Sequence, residues 1–129
     1  MVFDVKLPIL GFESIEQFHF EHVDDLFAKI VSIKEEKPTF TLVNPYLLRD
    51  YQFDIPLAAK AALQINEETH ILVYNILVLC EPIENSMINF IAPLVFNINN
   101  KMMGQIILDG YRYPHYGLNE RISTFFSGE

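Results

Sequence analysis

Polar and apolar residues alternate through the first third of the chain. In "VFDVKLP", Phe3, Val5 and Leu7 are separated by Asp4 and Lys6. This is the period of two expected of a strand with one buried face, and Pro8 ends it. "GFESIEQFHFEHV" turns at Gly11 and resumes the alternation at Phe18 and Phe20. "LFAKIVSI" predicts a third strand, brought to a turn by the charged cluster "KEEKP", residues 34–38. "TFTLVNP" predicts a fourth, with Phe40 and Leu42 on one face and Thr41 and Val43 on the other.

The pattern breaks at "NPYLLRDYQFDIP", residues 44–56, where two prolines bracket an aromatic loop and a short strand expected from Tyr51 to Ile55. "PLAAKAALQIN" then places Leu57, Ala61 and Ile65 at helical spacing, with Pro56 in the first turn and Asn66 as a left-handed terminator. It predicts one helix of about two to three turns.

Beyond "NEET" the runs "HILVYNILVLC", "SMINFIAPLVFNI" and "MGQIILD" are apolar on both faces. Both faces must therefore be covered, by a barrel interior on one side and a helix on the other, or by a two-layer α+β arrangement. Asn99 and Asn100 suit the positive-φ positions of a tight turn, so the last two runs are expected to form a hairpin. Pro93 then lies across from Ile106, and its missing donor places it at a sheet edge or bulge where strand pairing is expected to stop. The tail "GYRYPHYGLNERISTFF" reads as a tyrosine-rich loop with a short amphipathic helix from Leu118 to Phe126. The expected fold is mainly β, an antiparallel barrel-like (pseudo-barrel) sheet of about eight strands capped by a short helix.

A chain of 129 residues is the size of one domain, and residues 1–129 are read as one. Eleven Phe and six Tyr supply a thick core without tryptophan. The longest apolar run, Ile71 to Cys80, is too short to cross a bilayer as a helix and contains Asn75. "MVFDVKLPILGF" carries charges in its apolar part and has no basic leader, so no secretory signal, no membrane partner and a cytoplasmic location are expected. Cys80, in a predicted apolar strand, is expected to be a buried, inert thiol. Seventeen acids against nine bases give a net charge of -8, which disfavours direct nucleic-acid binding. The same charge either steers a basic partner or serves solubility alone.

No glycine-rich phosphate loop or nucleophile motif is present. His19 and His22 would share a face on a helix, but the flanking Phe18 and Phe20 place them on a strand, where residues three apart point to opposite sides. The acid pairs Asp24–Asp25, Glu35–Glu36 and Glu67–Glu68 fall in predicted turns and are expected to be solvated. His70 and His115 have no triad-like neighbours, so no enzyme, metal site or cofactor is expected. Tyr111, Arg112, Tyr113 and Tyr116 have the composition of a binding surface, and tyrosines packed over a barrel end account for them equally.

The stretches "ILGFE", "LVNPYLLRDYQF", "ILVYNILVL", "NFIAPLVFN", "GQIILD" and "YRYP", in this order and spacing, resemble the bacterial flagellar assembly factor family FliW along nearly the whole chain. The resemblance implies a cytosolic, non-enzymatic, chaperone-like regulator with a helix-capped pseudo-barrel. Such a factor binds the translational regulator CsrA, relieves its repression of flagellin mRNA translation, and binds flagellin in a partner switch. One departure is Arg49, in "RDY", where the family tends to read "PDY". Candidate partner-binding residues are Asn44, Pro45, Tyr46, Asn89, Pro93, Asp109 and Tyr113. The alternative is a small β-barrel carrier of an apolar small molecule, which requires an enclosed cavity.

Overall fold

The computed structural model describes residues 1–34 and 38–125. Among these, the alternating segments form strands β1 (Val2–Leu7), β2 (Gln17–His22), β3 (Phe27–Ser32) and β4 (Thr39–Val43). The helix α1 (Leu57–Leu63) follows, then β5 (Ile71–Val78), β6 (Met87–Ile88), β7 (Leu94–Asn97), β8 (Met102–Gln105) and β9 (Glu120–Arg121). The sheet runs β4-β3-β2-β1-β8-β7-β5, and pairing of β4 with β5 closes these seven strands into a barrel. Strands β6 and β9 extend it outward from β5.

The pairs are antiparallel except β1 with β8, which run parallel, so the expected wholly antiparallel barrel is corrected to a mixed one. The cause is topological: an odd number of strands cannot alternate in direction around a closed ring without one parallel contact. That contact is tight. The register shifts between Val5 and Leu7, and a Cβ on Gly104 would lie 2.5 Å from the Cβ of Leu7.

Two hydrophobic layers follow from the strands' two faces. Phe3, Phe18, Phe20, Tyr74, Leu94 and Phe96 fill the barrel interior, where ring centroids of Phe3, Phe20, Tyr74 and Phe96 lie 5.1 to 6.2 Å apart. Val73, Leu77, Val95 and Ile106 point outward into a second layer with Leu63, Ile88 and Phe90. The runs that read as apolar on both faces are thus the ones with barrel interior on one side and a helix and loops on the other. Each fully buried phenylalanine contributes about 2–3 kcal/mol by burial.

The helix is rotated from the expected stripe. Ala59 and Leu63 face inward, whereas Leu57 is 83% exposed and Ala61 is also on the outside. The buried side chain of Asn97 on β7 fixes this rotation by donating to the Leu63 carbonyl at 2.7 Å, one of the orphan acceptors of the helix end. The left-handed terminator is Gln64 (φ 54) rather than Asn66, whose Oδ1 instead accepts from the Glu68 N–H at 2.8 Å.

Between β7 and β8 the positive φ falls on Lys101, not on either asparagine. Asn99 uses its side chain to accept the His70 N–H at 2.7 Å. Pro93 does stand across from Ile106, whose N–H donates to its carbonyl at 2.9 Å. Pairing continues past it, because Leu108 N–H donates to the Ile91 carbonyl at 2.8 Å, so the proline removes one donor without ending the contact.

Three further expectations are corrected. Tyr51 to Ile55 is no strand, and the tail forms a 3-10 turn, Ile122–Thr124, rather than a longer helix. There the strand β9 pairs with β6 and Ile122 N–H donates to Ser86, which holds the chain extended; Phe126 lies outside the described residues. Cys80 lies beyond the end of β5 and is partly exposed, its N–H donating to Ser86 Oγ at 3.0 Å. The turn at 34–38 and the Glu35–Glu36 pair fall largely or wholly outside the described residues.

Candidate functional site

The loops after β4 and β8 meet at one end of the outer layer and build an aromatic recess. Asn44 opens the first loop by accepting the Tyr46 N–H on Oδ1 at 3.0 Å, while its own N–H donates to Leu26 at 2.7 Å. This starts a 3-10 turn, Pro45–Leu47, with Pro45 buried and Tyr46 52% exposed. The chain then enters the segment 51–55, whose backbone groups need partners once no strand is beside it.

Tyrosines from the second loop supply them. Gln52 N–H donates to the Tyr116 hydroxyl at 2.8 Å, and that hydroxyl lies 3.0 Å from the Gln52 carbonyl, to which it donates. Asp54 N–H donates to the Tyr113 hydroxyl at 2.9 Å. The alternate N–H groups of an extended segment are thus bonded by side chains where a sheet would use a neighbouring strand. Tyr113 and Tyr116 stack with centroids 5.7 Å apart and planes 10° from parallel. Asp109 shapes their loop: its Oδ1 accepts the Tyr111 N–H and its carbonyl the Tyr113 N–H, each at 2.9 Å.

Beneath this end lies a buried polar knot. The Tyr51 hydroxyl donates to the Phe90 carbonyl at 2.5 Å and accepts from Asn75 Nδ2 at 3.2 Å. Asn75 Nδ2 also donates to the Asn89 carbonyl at 2.8 Å, and its buried Oδ1 has no hydrogen-bond partner among the described residues. Asn89 Oδ1 in turn accepts the Ala92 N–H at 3.1 Å. Burial pushes the Tyr51 phenol well above its ordinary range, against a smaller lowering by the Asn75 hydrogen bond.

Arginines finish the surface. The Arg49 guanidinium lies 5.0 Å from the ring centroids of Phe90 and Tyr116 and 5.3 Å from Phe125, and pairs with Glu120 at 3.4 Å. Arg112 forms an ion pair with Asp54 and sits 5.3 Å from the Tyr113 ring centroid. An open recess of about 580 Å³ results, lined by Tyr46, Tyr51, Gln52, Phe53, Asp54, Arg112 and Tyr113.

Of the residues singled out by sequence, Tyr46 and Tyr113 line this recess, and Asn44, Pro45 and Asp109 form the turns that carry them. Asn89 belongs to the knot below, and Pro93 is buried within the sheet. Tyr51, Phe53 and Arg49 are further residues of the site that are not among the candidate partner-binding residues; the aromatic spacing of Tyr51 and Phe53 and the departure at Arg49 are the signals the sequence carries for them. The loop tyrosines divide between roles, with Tyr113 and Tyr116 packed on the barrel end and Tyr111 98% exposed. Among the described residues, no group of three or more His, Cys, Asp and Glu side chains is placed to hold a metal ion, and no helix is long and apolar enough to cross a membrane.

Fold and site define a small mixed β-barrel with an outer layer that ends in a loop-built aromatic recess. Residues 1–121 match the family described as FliW protein, and the chain belongs to that family. It is 51% identical over 129 residues to the flagellar assembly factor FliW 2 of Wolinella succinogenes, covering 100% of this chain and 95% of that protein. It is 41% identical over 125 residues to the flagellar assembly factor FliW of Sulfurimonas denitrificans, covering 97% and 98%. A crystal structure of the flagellar assembly factor FliW shares the fold, with TM-score 0.84 and 24% identity over 94% of this chain and 84% of that one. The resemblance carried by the ordered stretches of sequence therefore holds over the length of the fold.

Proposed function

We propose that the chain is a cytoplasmic, protein-binding regulator of flagellum assembly. In this reading it binds CsrA, relieves repression of flagellin mRNA translation, and binds flagellin in exchange. The observation that carries a binding role is the aromatic recess, where Tyr46 and Tyr113 are presented on turns already held by hydrogen bonds. Partly exposed rings carried on fixed turns lose little conformational freedom on association, which is what contact surfaces require. A net charge of -8 supports the choice of CsrA, since an RNA-binding protein presents a basic surface to an acidic partner. Membership of a family named for flagellar assembly supports the setting.

A carrier of apolar small molecules needs room inside the barrel, and that space is occupied by the rings of Phe3, Phe20, Tyr74 and Phe96. Calorimetric titration of the purified chain with CsrA and, separately, with unassembled flagellin tests the proposal. Saturable binding to both, with one displacing the other, is expected; binding to neither overturns it.

A further inference from the structure

An apolar groove of about 240 Å³ is lined by Val23, Phe27, Lys29, Thr41, Leu79 and Ile83, none of which lines the aromatic recess. Its walls are the turn between β2 and β3 and the loop after β5. Val23 is 58% exposed, Leu79 57% and Ile83 53%, so three aliphatic side chains stand together in water at a cost that an occupant would relieve.

Both walls are already formed. The N–H groups of Val23 and Asp24 donate to the Phe27 carbonyl at 3.1 and 3.0 Å, and Asp24 Oδ1 accepts from Leu26 and Phe27. In the other wall the fully buried Ser86 accepts the Cys80 N–H on Oγ and donates its own N–H to the Ile83 carbonyl at 2.9 Å. Residues 23–29 and 79–84 contain the acids Asp24, Asp25, Glu81 and Glu84, all exposed, against one base. That base, Lys29, is paired with Glu21 at 3.1 Å. An apolar floor whose two wall segments carry exposed acids selects for aliphatic side chains flanked by positive charge.

We propose that this groove is a second docking surface, distinct from the aromatic recess, and that it takes a basic amphipathic segment of a protein partner. The inference rests on the reading of the chain as a protein-binding factor for its expectation that a protein is the occupant. The preformed walls lower the ordering cost of docking, and the carboxylates orient the segment so that its Lys and Arg residues lie outward along the walls.

The test uses the full chain, labelled for NMR, with two helical peptides about four turns long. Each has leucine along one face, and the other face carries lysine in one peptide and glutamate in the other. The lysine peptide is expected to shift signals of Val23, Phe27, Leu79 and Ile83. Leu79→Ser with Ile83→Ser should weaken it about tenfold or more, and Glu81→Gln with Glu84→Gln should weaken it by a smaller factor. These positions are exposed, and the wild-type mapping and the glutamine pair stand even if the serine pair does not fold. Equal binding of the glutamate peptide, or shifts elsewhere, overturns the proposal. So does self-association of the wild type that the serine pair abolishes, because the occupant is then a second copy. CsrA and flagellin, titrated in parallel, separate the two readings. If each of them that binds wild type binds all these variants equally, the groove proposal falls and the proposed function stands. If neither binds wild type, the proposed function falls, and the peptides alone decide the groove.

Discussion

The hydroxyl of Tyr51 reaches the carbonyl of Phe90 at 2.5 Å and ties the loop after β4 to the run that leads into β7. Because Asn75 Nδ2 donates to the same hydroxyl at 3.2 Å, removing one oxygen strips a partner from two buried groups. Tyr51→Phe keeps the ring contacts with Phe53, Phe90 and Tyr116 and should still lower stability by about 1–3 kcal/mol. Urea unfolding, with an unchanged slope and a lower midpoint, is the measurement.

Burial also raises the phenol pKa of Tyr51 and of Tyr74 inside the barrel. A group with a folded pKa above its unfolded value holds its proton longer in the folded state, so its contribution is complete below the unfolded pKa. Stability should therefore be flat with respect to these two groups up to about pH 10 and fall above it, as the unfolded chain ionises first. Denaturant midpoints measured from pH 8 upward check this, and Tyr51→Phe should flatten the decline.

Arg49 joins three rings and a carboxylate with its side chain only 20% exposed. Arg49→Ala should cost about 1–3 kcal/mol, a range already reduced for the solvent that still reaches Glu120. Arg49→Lys should recover only part of it, because an ammonium cannot present a flat face to Phe90 and Tyr116. A double-mutant cycle with Glu120→Gln isolates the ion pair from the ring contacts.

What was legible in the sequence was local. Alternation at Phe18–Phe20 and Phe40–Leu42 located β2 and β4, and the runs around Val73 and Val95 showed that both faces needed cover. What was not legible depended on distant partners. The extended segment at Gln52 and Asp54 has strand-like sequence, but its N–H groups are met by hydroxyls 64 and 59 residues away. The rotation of α1 depends on Asn97, 34 residues beyond Leu63. The parallel β1–β8 contact follows from the odd number of barrel strands, which no single segment encodes. In the recess, the tyrosines were visible by composition, whereas Tyr51 and Arg49 acquire their places only when the Asn75–Asn89 knot and Glu120 are assembled around them.

The parallel contact itself is testable at Gly104. A methyl there would meet Leu7 Cβ at 2.5 Å, a distance that the closed ring cannot relax without moving β1 or β8. Gly104→Ala should cost about 1–3 kcal/mol, and adding Leu7→Ala should not restore it, since the obstructing atom is the Cβ that alanine keeps. Gly110→Ala is the control: a Cβ there meets nothing within 4 Å among the described residues, so its effect should stay within about 0.5 kcal/mol. Thermal or denaturant unfolding of the three variants decides between strain at the contact and a general intolerance of glycine replacement.

Binding at the aromatic recess can be separated from folding by comparing Tyr46 with Tyr116. Tyr46 is 52% exposed, its capping contact is made by its backbone N–H, and its ring makes an edge contact with Tyr51 at 6.1 Å between centroids, so Tyr46→Ala should lower stability by no more than about 1 kcal/mol. If the recess engages a protein partner, the same change should weaken that complex by about 1–2 kcal/mol, or roughly 5- to 30-fold in Kd. Tyr116→Phe should do the reverse. It removes the hydroxyl that bonds the Gln52 backbone and lowers stability by about 1 kcal/mol or more, while leaving the ring against Arg49 and Tyr113. Calorimetric titration with CsrA and flagellin, alongside unfolding curves for both variants, reads the two effects separately. Unchanged affinity for both proteins in Tyr46→Ala would remove this ring from the proposed contact surface.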